Sequence, residues 1–356
     1  MQARVPSAGT GRSSERPPEQ SPGWQRGARG AALAALLLCT LPSQAGISAT
    51  STGLCAADRP MSAAVQDRRL RLAARVRQEL EASGRTVALV ARSGLDLERF
   101  GQRYSHAGVS LRASPNTRWS VRQLYYACDE GQPRIFDQGL AGFLLAADEQ
   151  PEARLTLLLL PAQASAALEA AALDRRQALQ LLAARYSANA YAFSTRYQNC
   201  NQWVAELLAA AWGSWDNRDK EGERRAAPAD GPGDPLDATA ALLPTRAQAQ
   251  DWLRARGYEP HRFESSPWLY LLSAFVPLLH FDDHPEADRE AAVYRVSMPE
   301  SVEAFVHRQV PGTERVEFCQ DERRIVVRRG WEALDADCEA APGDEVVPLA
   351  DRAAEQ

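Results

Sequence analysis

The stretch RYQNCNQWVAELLAAAW, residues 196–212, places a cysteine between two asparagines at the point where an apolar helix is expected to begin. Apolar side chains follow at the spacing of an amphipathic helix, at Trp203, Val204, Leu207, Leu208, Ala211 and Trp212. Asn199 is a favourable N-cap residue, so the pattern predicts Cys200 at or next to the helix N-terminus. There, free N–H groups and the helix dipole stabilise a thiolate or an oxyanion. The alternative is a small buried cysteine in a packed helix start.

A cysteine nucleophile needs a base, and the chain has five histidines. We expect His261 and His307 to be solvated, the first in a polar loop and the second in a helix-like stretch. His106 opens the predicted strand SHAGVSLRA, 105–113, and small residues follow it at once. An imidazole at such a strand start can face a cleft and reach a thiol on a facing helix. A hydrogen-bonded structural histidine is the alternative for this segment.

The two segments together resemble a known arrangement. YSHAGVSL, 104–111, resembles the His-Val-Gly-Ile-Tyr-type strand of the NlpC-type papain-like cysteine enzymes. QNCNQWVAELL, 198–208, resembles the Asn-Cys-Glu-His-Phe-type helix of the circularly permuted members, which include lecithin retinol acyltransferase-like proteins. In those permuted proteins histidine precedes cysteine, as His106 precedes Cys200 here.

The resemblance covers residues 86–213 and implies an α+β fold. It implies a permuted papain-like (NlpC-type) core, in which an antiparallel sheet packs on the nucleophile helix, followed by a C-terminal α/β extension. The wider chain, including ARSGLDLERFG, VRQLYYACDEG and RYSANAY, also resembles an uncharacterised family of exported bacterial proteins.

Carried over to this sequence, the resemblance implies that Cys200 is the nucleophile and that His106 is the general base and later the acid. The residue that orients the imidazole comes from the next strand, RWSVRQLYY, 118–126, where Gln123 is our choice. Ser120 is the alternative if the strand faces the other way, and Arg122 is a poor orienter because a cation disfavours the imidazolium. The sequence departs from the family pattern here, since no Asp, Asn or His stands at the expected place.

Gln198 and Asn199 flank the candidate nucleophile and are candidate donors to an oxyanion in a binding role. Packing or helix capping is the alternative for each of these two amides.

The segment HFDDHP, 280–285, offers imidazole and carboxylate groups in one short stretch. Such groups suit zinc or manganese. The alternatives are that His280 or His284 is the base in an unpermuted Cys-then-His order, or that the segment contributes to the rim of an active site. Asp-Asp-His-Pro after an apolar run is also typical turn chemistry. We expect a turn here, and neither a metal nor a cofactor.

The composition gives no reason to expect nucleic acid, because the 356-residue chain has a net charge of −5 and no dominant basic face. The apolar run 31–41 is far shorter than the ~20 residues of a membrane span, and Ser43-Gln44-Ala45 after it has the form of a signal peptidase site. We therefore expect residues 1–45 to be a signal peptide with an upstream tail. The mature chain is then periplasmic or secreted and has no transmembrane helix.

Removal of that leader leaves an odd number of cysteines, which in an oxidising compartment implies one unpaired thiol. Cys319 and Cys338 bracket a predicted hairpin strand and its return, so they are plausible partners. Cys55 and Cys128 could form a second disulfide, which leaves Cys200 free. Other pairings are consistent with the sequence alone.

Periodicity predicts the remaining organisation. The pattern of Leu70, Ala73, Val76 and Leu80 indicates a helix over 65–83. Further predicted elements are strands at 86–94 and 154–162, a long helix over 163–186, a helix over 247–257, and a strand pair near 293–298 and 315–329. The apolar run 267–281 is buried or lies on a membrane surface, and the charged, Gly/Pro-rich stretch 216–235 is a surface loop.

These elements divide the chain into a papain-like core at 46–215, a flexible loop or linker at 216–240, a C-terminal part of the same domain at 241–340 and a disordered tail at 341–356. The predicted function is that of a thiol-dependent hydrolase or acyltransferase acting on an amide or ester in the periplasm, where cell-wall peptides and lipids are the abundant candidates. The alternatives are a catalytically weak or inactive papain-fold binding or scaffold protein of the cell envelope, and a metal-dependent protein built around His280–His284.

Overall fold

The part of the chain that the structure describes contains ten strands. The computed structural model describes residues 61–146, 152–213, 243–264 and 278–349. The strands in these ranges are β1 (Val87–Arg92), β2 (His106–Leu111), β3 (Ser120–Ala127), β4 (Gln132–Gln138), β5 (Ala153–Leu159), β6 (His261–Glu264), β7 (Val293–Val296), β8 (Glu314–Gln320), β9 (Arg324–Arg329) and β10 (Glu345–Pro348). Eight of them form one open antiparallel sheet in the order β10-β9-β8-β5-β1-β2-β3-β4, and β6 pairs with β7 in a small second sheet.

Helices cover both faces of the large sheet. They are α1 (Ala63–Ala82), α2 (Leu140–Leu145), α3 (Ala162–Leu173), α4 (Arg175–Gln180), α5 (Cys200–Trp212), α6 (Arg246–Ala255), α7 (Glu286–Glu290) and α8 (Pro299–Gln309). α1 and α2 lie on one face, and α3, α5, α6 and α8 lie on the other. The predicted α+β class with a large antiparallel sheet is therefore confirmed, and the sheet is open rather than closed.

Side chains of the central strands alternate between two apolar cores. Leu89 and Ala91 of β1 pack in the core that contains α5, whereas Ala88 and Val90 pack in the core that contains α1 and α2. Because both faces are covered, β1, β2 and β5 are buried at every position. This explains why their sequences are nearly continuous apolar runs rather than alternating ones.

The first predicted helix is confirmed as α1, although its buried stripe differs from the predicted one. Ala73, Val76 and Leu80 are buried as expected, but Leu70 is exposed and Leu72 takes its place in the core. The buried stripe also includes Arg69, whose guanidinium donates to Gln320 and to the carbonyl of Glu152. The spacing of apolar residues does not reveal a buried arginine, so the predicted buried face included Leu70 instead of Arg69 and Leu72.

The long helix predicted over 163–186 is wrong, because the chain breaks it into α3 and α4. Asp174 has an extended backbone, and its carboxylate accepts the N–H groups of Arg176 and Gln177. It therefore starts a new helix inside an alanine- and leucine-rich run that is apolar enough to continue.

The C-terminal strands extend the large sheet. β8 pairs with β5, and β9 and β10 follow it outward. The predicted segment 315–329 thus holds two strands, while β7 pairs with β6 and lies outside the large sheet. The prediction of a disordered tail over 341–356 is wrong for β10, because Glu345 binds Arg75 and Arg329 and fixes this strand at the sheet edge.

The predicted disulfide between Cys319 and Cys338 is confirmed, and Cys200 is a free, buried thiol. Cys128 is also disulfide-bonded, and Cys55, its predicted partner, lies outside the described residues. The predicted signal peptide, the linker 216–240 and most of the apolar run 267–281 lie outside them too. Among the helices that are described, none has the length and apolar character to cross a membrane.

Candidate thiol and imidazole site

The site begins at the first residue of α5. Asn199 caps this helix, and its Oδ1 accepts the N–H of Gln202 at 2.7 Å. Cys200 is the first helical residue, as predicted, and its side chain is 6% exposed. The sequence therefore positions a thiol beside the free N–H groups of a helix start.

Asn201 binds the helix start to the main chain on both sides of His106. Its Oδ1 accepts the N–H of Ala107 at 2.9 Å, and its Nδ2 donates to the carbonyls of Ser105 at 3.3 Å and Ser297 at 3.2 Å. The β2–β3 pairing begins only at Val109, so the Asn201 amide binds main-chain groups that β3 leaves unpaired. The start of α5 and the start of β2 are thereby held together.

The Cys200 thiol lies in a polar but closed environment. Sγ is 4.0 Å from the carbonyl oxygen of Ser105 and 3.5 Å from Oδ1 of Asn201, and Tyr186 is close enough to interact with it electrostatically. Burial raises the pKa of Cys200 to about 11, although nearby N–H groups and the Arg92 guanidinium act in the opposite direction. The expected lowering of this pKa is therefore wrong, because loss of hydration outweighs the helix N-terminus.

His106 is held by a chain of two glutamines. Its Nε2 is hydrogen-bonded to Oε1 of Gln123, whose Nε2 donates to Oε1 of Gln138 at 2.7 Å. The second bond turns the carbonyl oxygen of Gln123 towards the imidazole, so Nε2 of His106 carries the proton and Nδ1 is the basic nitrogen. Within the described residues, Nδ1 makes no hydrogen bond. Gln123 thus has the contact that an orienting residue needs.

The imidazole is neutral at ordinary pH. Burial, together with the Arg92 guanidinium, lowers the pKa of His106 to about 3. Arg92 is the β1 residue opposite His106, and it donates to the carbonyls of Ser93 and Ala146. This buried cation acts on both the thiol and the imidazole.

The thiol and the imidazole approach the same strand start from different sides. The His106 ring lies 5.9 Å from the ring of Phe143 on α2, whereas Ala107 packs in the core that contains α5. Among the described residues, the hydrogen-bond partners of Sγ do not include His106. Cys200 and His106 are connected through the Ser105 carbonyl and the Asn201 side chain, while alternation along β2 directs the ring towards α2. Direct contact between the thiol and the imidazole therefore stays a prediction.

Gln198 and Asn199 do not act as free donors in the cleft. Gln198 is fully buried, accepts the N–H of Ala183, and donates to the carbonyl of Leu181 and to Glu206. The Nδ2 group of Asn199 donates to the carbonyls of Ala188 and Ser297. The oxyanion role predicted for this pair is corrected to the packing and capping alternative, because the donors of both amides are used within the framework.

The alternative orienting residue, Ser120, lies at the other end of β3 and is bound to Asn116 and Thr117. Arg122 points to the opposite face, where it pairs with Asp137 at 2.6 Å and donates to the carbonyl of Ala172. Of the three polar residues of this strand, only Gln123 reaches His106.

The His280–His284 segment forms a packed turn. The His280 ring stacks on Tyr197 at 4.4 Å, and Nε2 of His284 is bound to the carbonyl of Asn189 at 2.8 Å. Within the described ranges, the metal-type cluster is Glu152 with Cys319 and Cys338, whose sulfurs are joined in the disulfide and cannot bind as thiolates. The turn alternative therefore describes this segment.

Sequence reasoning missed the roles of Asn201, Arg92 and Tyr186. Arg92 had a detectable signal, since it ends a strand that is otherwise wholly apolar. Tyr186 stands in the quoted segment RYSANAY but had no periodic or charge signal. The clamp made by Asn201 depends on the separation of β2 from β3, which no local pattern encodes.

The comparisons with known proteins give a family but no activity. No curated protein and no solved structure matches the chain significantly. A family model described as an uncharacterized protein conserved in bacteria (DUF2145) matches residues 79–306. Cys200, His106 and Gln123 lie within this range, which covers well over half of the sequence. The chain therefore belongs to this uncharacterised bacterial family, DUF2145.

Proposed function

We propose that the protein is a thiol-dependent hydrolase or acyltransferase of the cell envelope, with a permuted papain-like arrangement in which Cys200 attacks an amide or ester. The observation that carries the proposal is the Gln138–Gln123–His106 chain. It fixes an imidazole, with its basic nitrogen unbonded, at the start of the strand whose preceding residue, Ser105, has its carbonyl 4.0 Å from the free Cys200 thiol.

The proposed reaction follows from the atoms at the site. Because the ring faces α2, we propose that the thiol proton passes to Nδ1 of His106 through one bridging water when the site is open. Sγ then bonds to the substrate carbonyl carbon, and Oε1 of Gln123 stabilises the imidazolium through Nε2. We propose that the Cys200 N–H, at the start of α5, donates to the developing oxyanion. His106 then gives its proton to the leaving amine or alkoxide. The thioester that remains on Sγ passes its acyl group to water or to another acceptor.

The resting pair is neutral in this proposal. A thiol with a pKa of about 11 and an imidazole with a pKa of about 3 do not exchange a proton in the closed arrangement. The ion pair forms only when the site opens and a substrate or water hydrates or replaces the buried surroundings. This proposed enzyme is therefore inert when closed and reactive when open.

The substrate class comes from the compartment rather than from the site. A buried disulfide between Cys319 and Cys338 is typical of proteins in oxidising compartments and supports the proposal of a periplasmic or secreted protein. The abundant amides of that compartment are peptidoglycan peptides, and its abundant esters are lipids. These are the two substrate classes that we propose to test.

A second candidate is a binding or scaffold protein of the cell envelope that keeps this arrangement without turnover. It is favoured by the two pKa values, and by the fact that Sγ and the imidazole are each hydrogen-bonded to other groups among the described residues.

The test is to incubate the purified full-length chain with peptidoglycan fragments and, separately, with phospholipid vesicles, and to analyse products by mass spectrometry. Release of one product class by the native protein, its loss in Cys200→Ala and its retention in Leu70→Ala support the proposal. Leu70 is exposed on α1 and serves as the matched control. Equal product release by Cys200→Ala excludes thiol catalysis, whereas binding without any product supports the second candidate.

A further inference from the structure

Glu300, in the first turn of α8, holds the segment that leads into His106. Its Oε1 accepts the main-chain N–H groups of Arg103 at 2.7 Å and Tyr104 at 3.0 Å. The next residue is Ser105, whose carbonyl receives Nδ2 of Asn201 and lies 4.0 Å from the Cys200 sulfur. One carboxylate oxygen is therefore linked through three consecutive residues to the proposed site.

The other oxygen of Glu300 lacks a partner. Its Oε2 is buried and has no hydrogen bond within the described residues. A buried carboxylate with one unsatisfied oxygen has an unfavourable desolvation free energy in its charged form, and protonation removes this unfavourable contribution.

The charged groups around Glu300 do not compensate for this burial. Glu303, one turn later on α8, adds a like charge. Arg315 on β8 is shared between Glu303 at 3.1 Å and Glu317 at 3.0 Å, and Glu317 also receives the Tyr104 hydroxyl at 2.5 Å. Arg103 lies 4.0 Å from Glu317 and donates to the carbonyl of Leu334. Burial accordingly raises the pKa of Glu300 to about 7, although the N–H groups of Tyr104 and Arg103 oppose the rise.

We propose that Glu300 is a positioning residue that acts as a pH-sensitive latch on the segment 103–105, closed when the carboxyl group is protonated and released when it is ionised. The proposal rests on the proposed function, because it assigns the regulation of that same site.

The direction of the effect follows from proton linkage. In an open arrangement the carboxyl group is hydrated and its pKa returns to the ordinary 4.5, whereas it is about 7 in the closed arrangement. Between these two pH values the closed state binds more protons than the open state. The equilibrium constant for opening therefore increases by at most about tenfold for each unit of pH. Opening therefore increases with pH through this window and levels off above it.

Release of the latch has a consequence for the thiol. Cys200 and His106 are 6% and 8% exposed in the closed arrangement. The segment that loses the Glu300 bonds carries the Ser105 carbonyl against Sγ, so its opening hydrates Cys200. Hydration removes the main cause of the raised pKa of Cys200 and makes the thiolate accessible.

Amide hydrogen exchange of the full-length protein tests the latch directly. We expect exchange of a peptide spanning 103–106, corrected for intrinsic pH dependence, to increase by up to about a hundredfold between pH 5 and pH 7.5. In Glu300→Gln, which keeps an oxygen acceptor but cannot ionise, the corrected rate should not change with pH. Glu332→Gln, at an exposed glutamate, is the control and should behave like the native protein.

Alkylation of Cys200 is the second readout, and its rate, divided by the thiolate fraction at each pH, should follow the corrected exchange rate in the native protein between pH 5 and pH 7.5. The proposal is overturned if native and Glu300→Gln proteins show the same pH dependence of exchange, or if alkylation does not follow exchange. Neither readout requires turnover, so a failure of catalysis is distinguishable from a failure of the latch. If Glu300→Gln does not fold, the native profile decides, since an exchange rate that is flat with pH contradicts the proposal.

Discussion

At the scale of single residues, Cys200 shows how burial and position compete. A helix N-terminus favours a thiolate. The helix capped by Asn199 begins at Cys200, which is the place that the sequence indicates. The helix start is nevertheless buried. The free energy needed to remove a thiolate from water exceeds the stabilisation that a few aligned N–H groups provide. The sequence pattern indicates the helix N-terminus but does not show how deeply the thiol is buried.

The first prediction concerns the reactivity of this thiol. Because burial raises the pKa of Cys200 to about 11, the rate of iodoacetamide labelling should keep rising with pH between 8 and 10, by roughly tenfold per unit. Labelling should disappear in Cys200→Ala. A plateau of the labelling rate near neutral pH would instead indicate a preformed thiolate.

The second prediction concerns the residue that orients His106. Gln123→Leu removes the acceptor for Nε2 of the imidazole and the donor to Gln138. We expect a loss of about 1–3 kcal/mol in the free energy of unfolding, measured by urea denaturation, and a fall in kcat larger than any change in KM. Ser120→Ala at the other end of β3 is the control and should leave kcat unchanged. A Gln123→Leu protein with native kcat would remove Gln123 from the proposed mechanism.

At the scale of elements, the contact that matters most is between the start of α5 and the start of β2. The sequence predicts both elements, since the helical apolar pattern and the apolar strand are local signals. It does not predict their junction, which depends on the separation of β3 from β2 before Val109. Asn201 occupies that separation, and the sequence alone presents it only as one of the two asparagines that flank Cys200.

The third prediction tests this junction. Asn201→Ala leaves the N–H of Ala107 and the carbonyls of Ser105 and Ser297 without their partner. We expect a loss of about 3 kcal/mol in the free energy of unfolding, together with faster exchange of the Ala107 amide. Asn201→Asp keeps the acceptor for Ala107 and should retain part of the stability. Equal stability of both variants and the native protein would show that the clamp is dispensable.

The predictions that failed at this scale have a common physical cause. Asp174 ends α3 because its side chain satisfies the first N–H groups of α4, and a single capping residue outweighs the helix propensity of the surrounding run. Leu70 is exposed because buried Arg69 finds partners on Gln320 and Glu152, far along the chain. In both cases a polar side chain forms hydrogen bonds that the spacing of apolar residues does not predict.

At the scale of the whole molecule, one sheet joins parts of the chain that are far apart in sequence. β5 lies between β1 and β8, so the C-terminal hairpin completes the sheet that carries His106. The class and the antiparallel sheet were implied by the resemblance of the two motif segments, whereas the apolar runs predicted only individual elements. The strand order was not, because pairing between distant strands has no local signal.

The fourth prediction concerns the disulfide of that C-terminal hairpin. The bond between Cys319 and Cys338 closes a loop with a sequence separation of 19 and is fully buried. Its removal in Cys319→Ala/Cys338→Ala should lower the free energy of unfolding by about 3 kcal/mol, visible as a lower Tm by calorimetry. The rate of Cys200 labelling at pH 9 should equal that of the native protein as long as the variant is folded. An unchanged Tm would contradict the structural role of this disulfide.

The central claim is that Cys200 is a nucleophile served by His106, and acylation by a simple activated ester tests it most directly. Full-length native protein, His106→Ala and Ser120→Ala are incubated with p-nitrophenyl acetate at pH 8, and peptide mass spectrometry locates any acetyl group. We predict a single acetyl thioester on Cys200 in native and Ser120→Ala proteins, formed at least about a hundredfold more slowly in His106→Ala. The claim would be contradicted if Cys200 were not acetylated, or were acetylated at the same rate without His106.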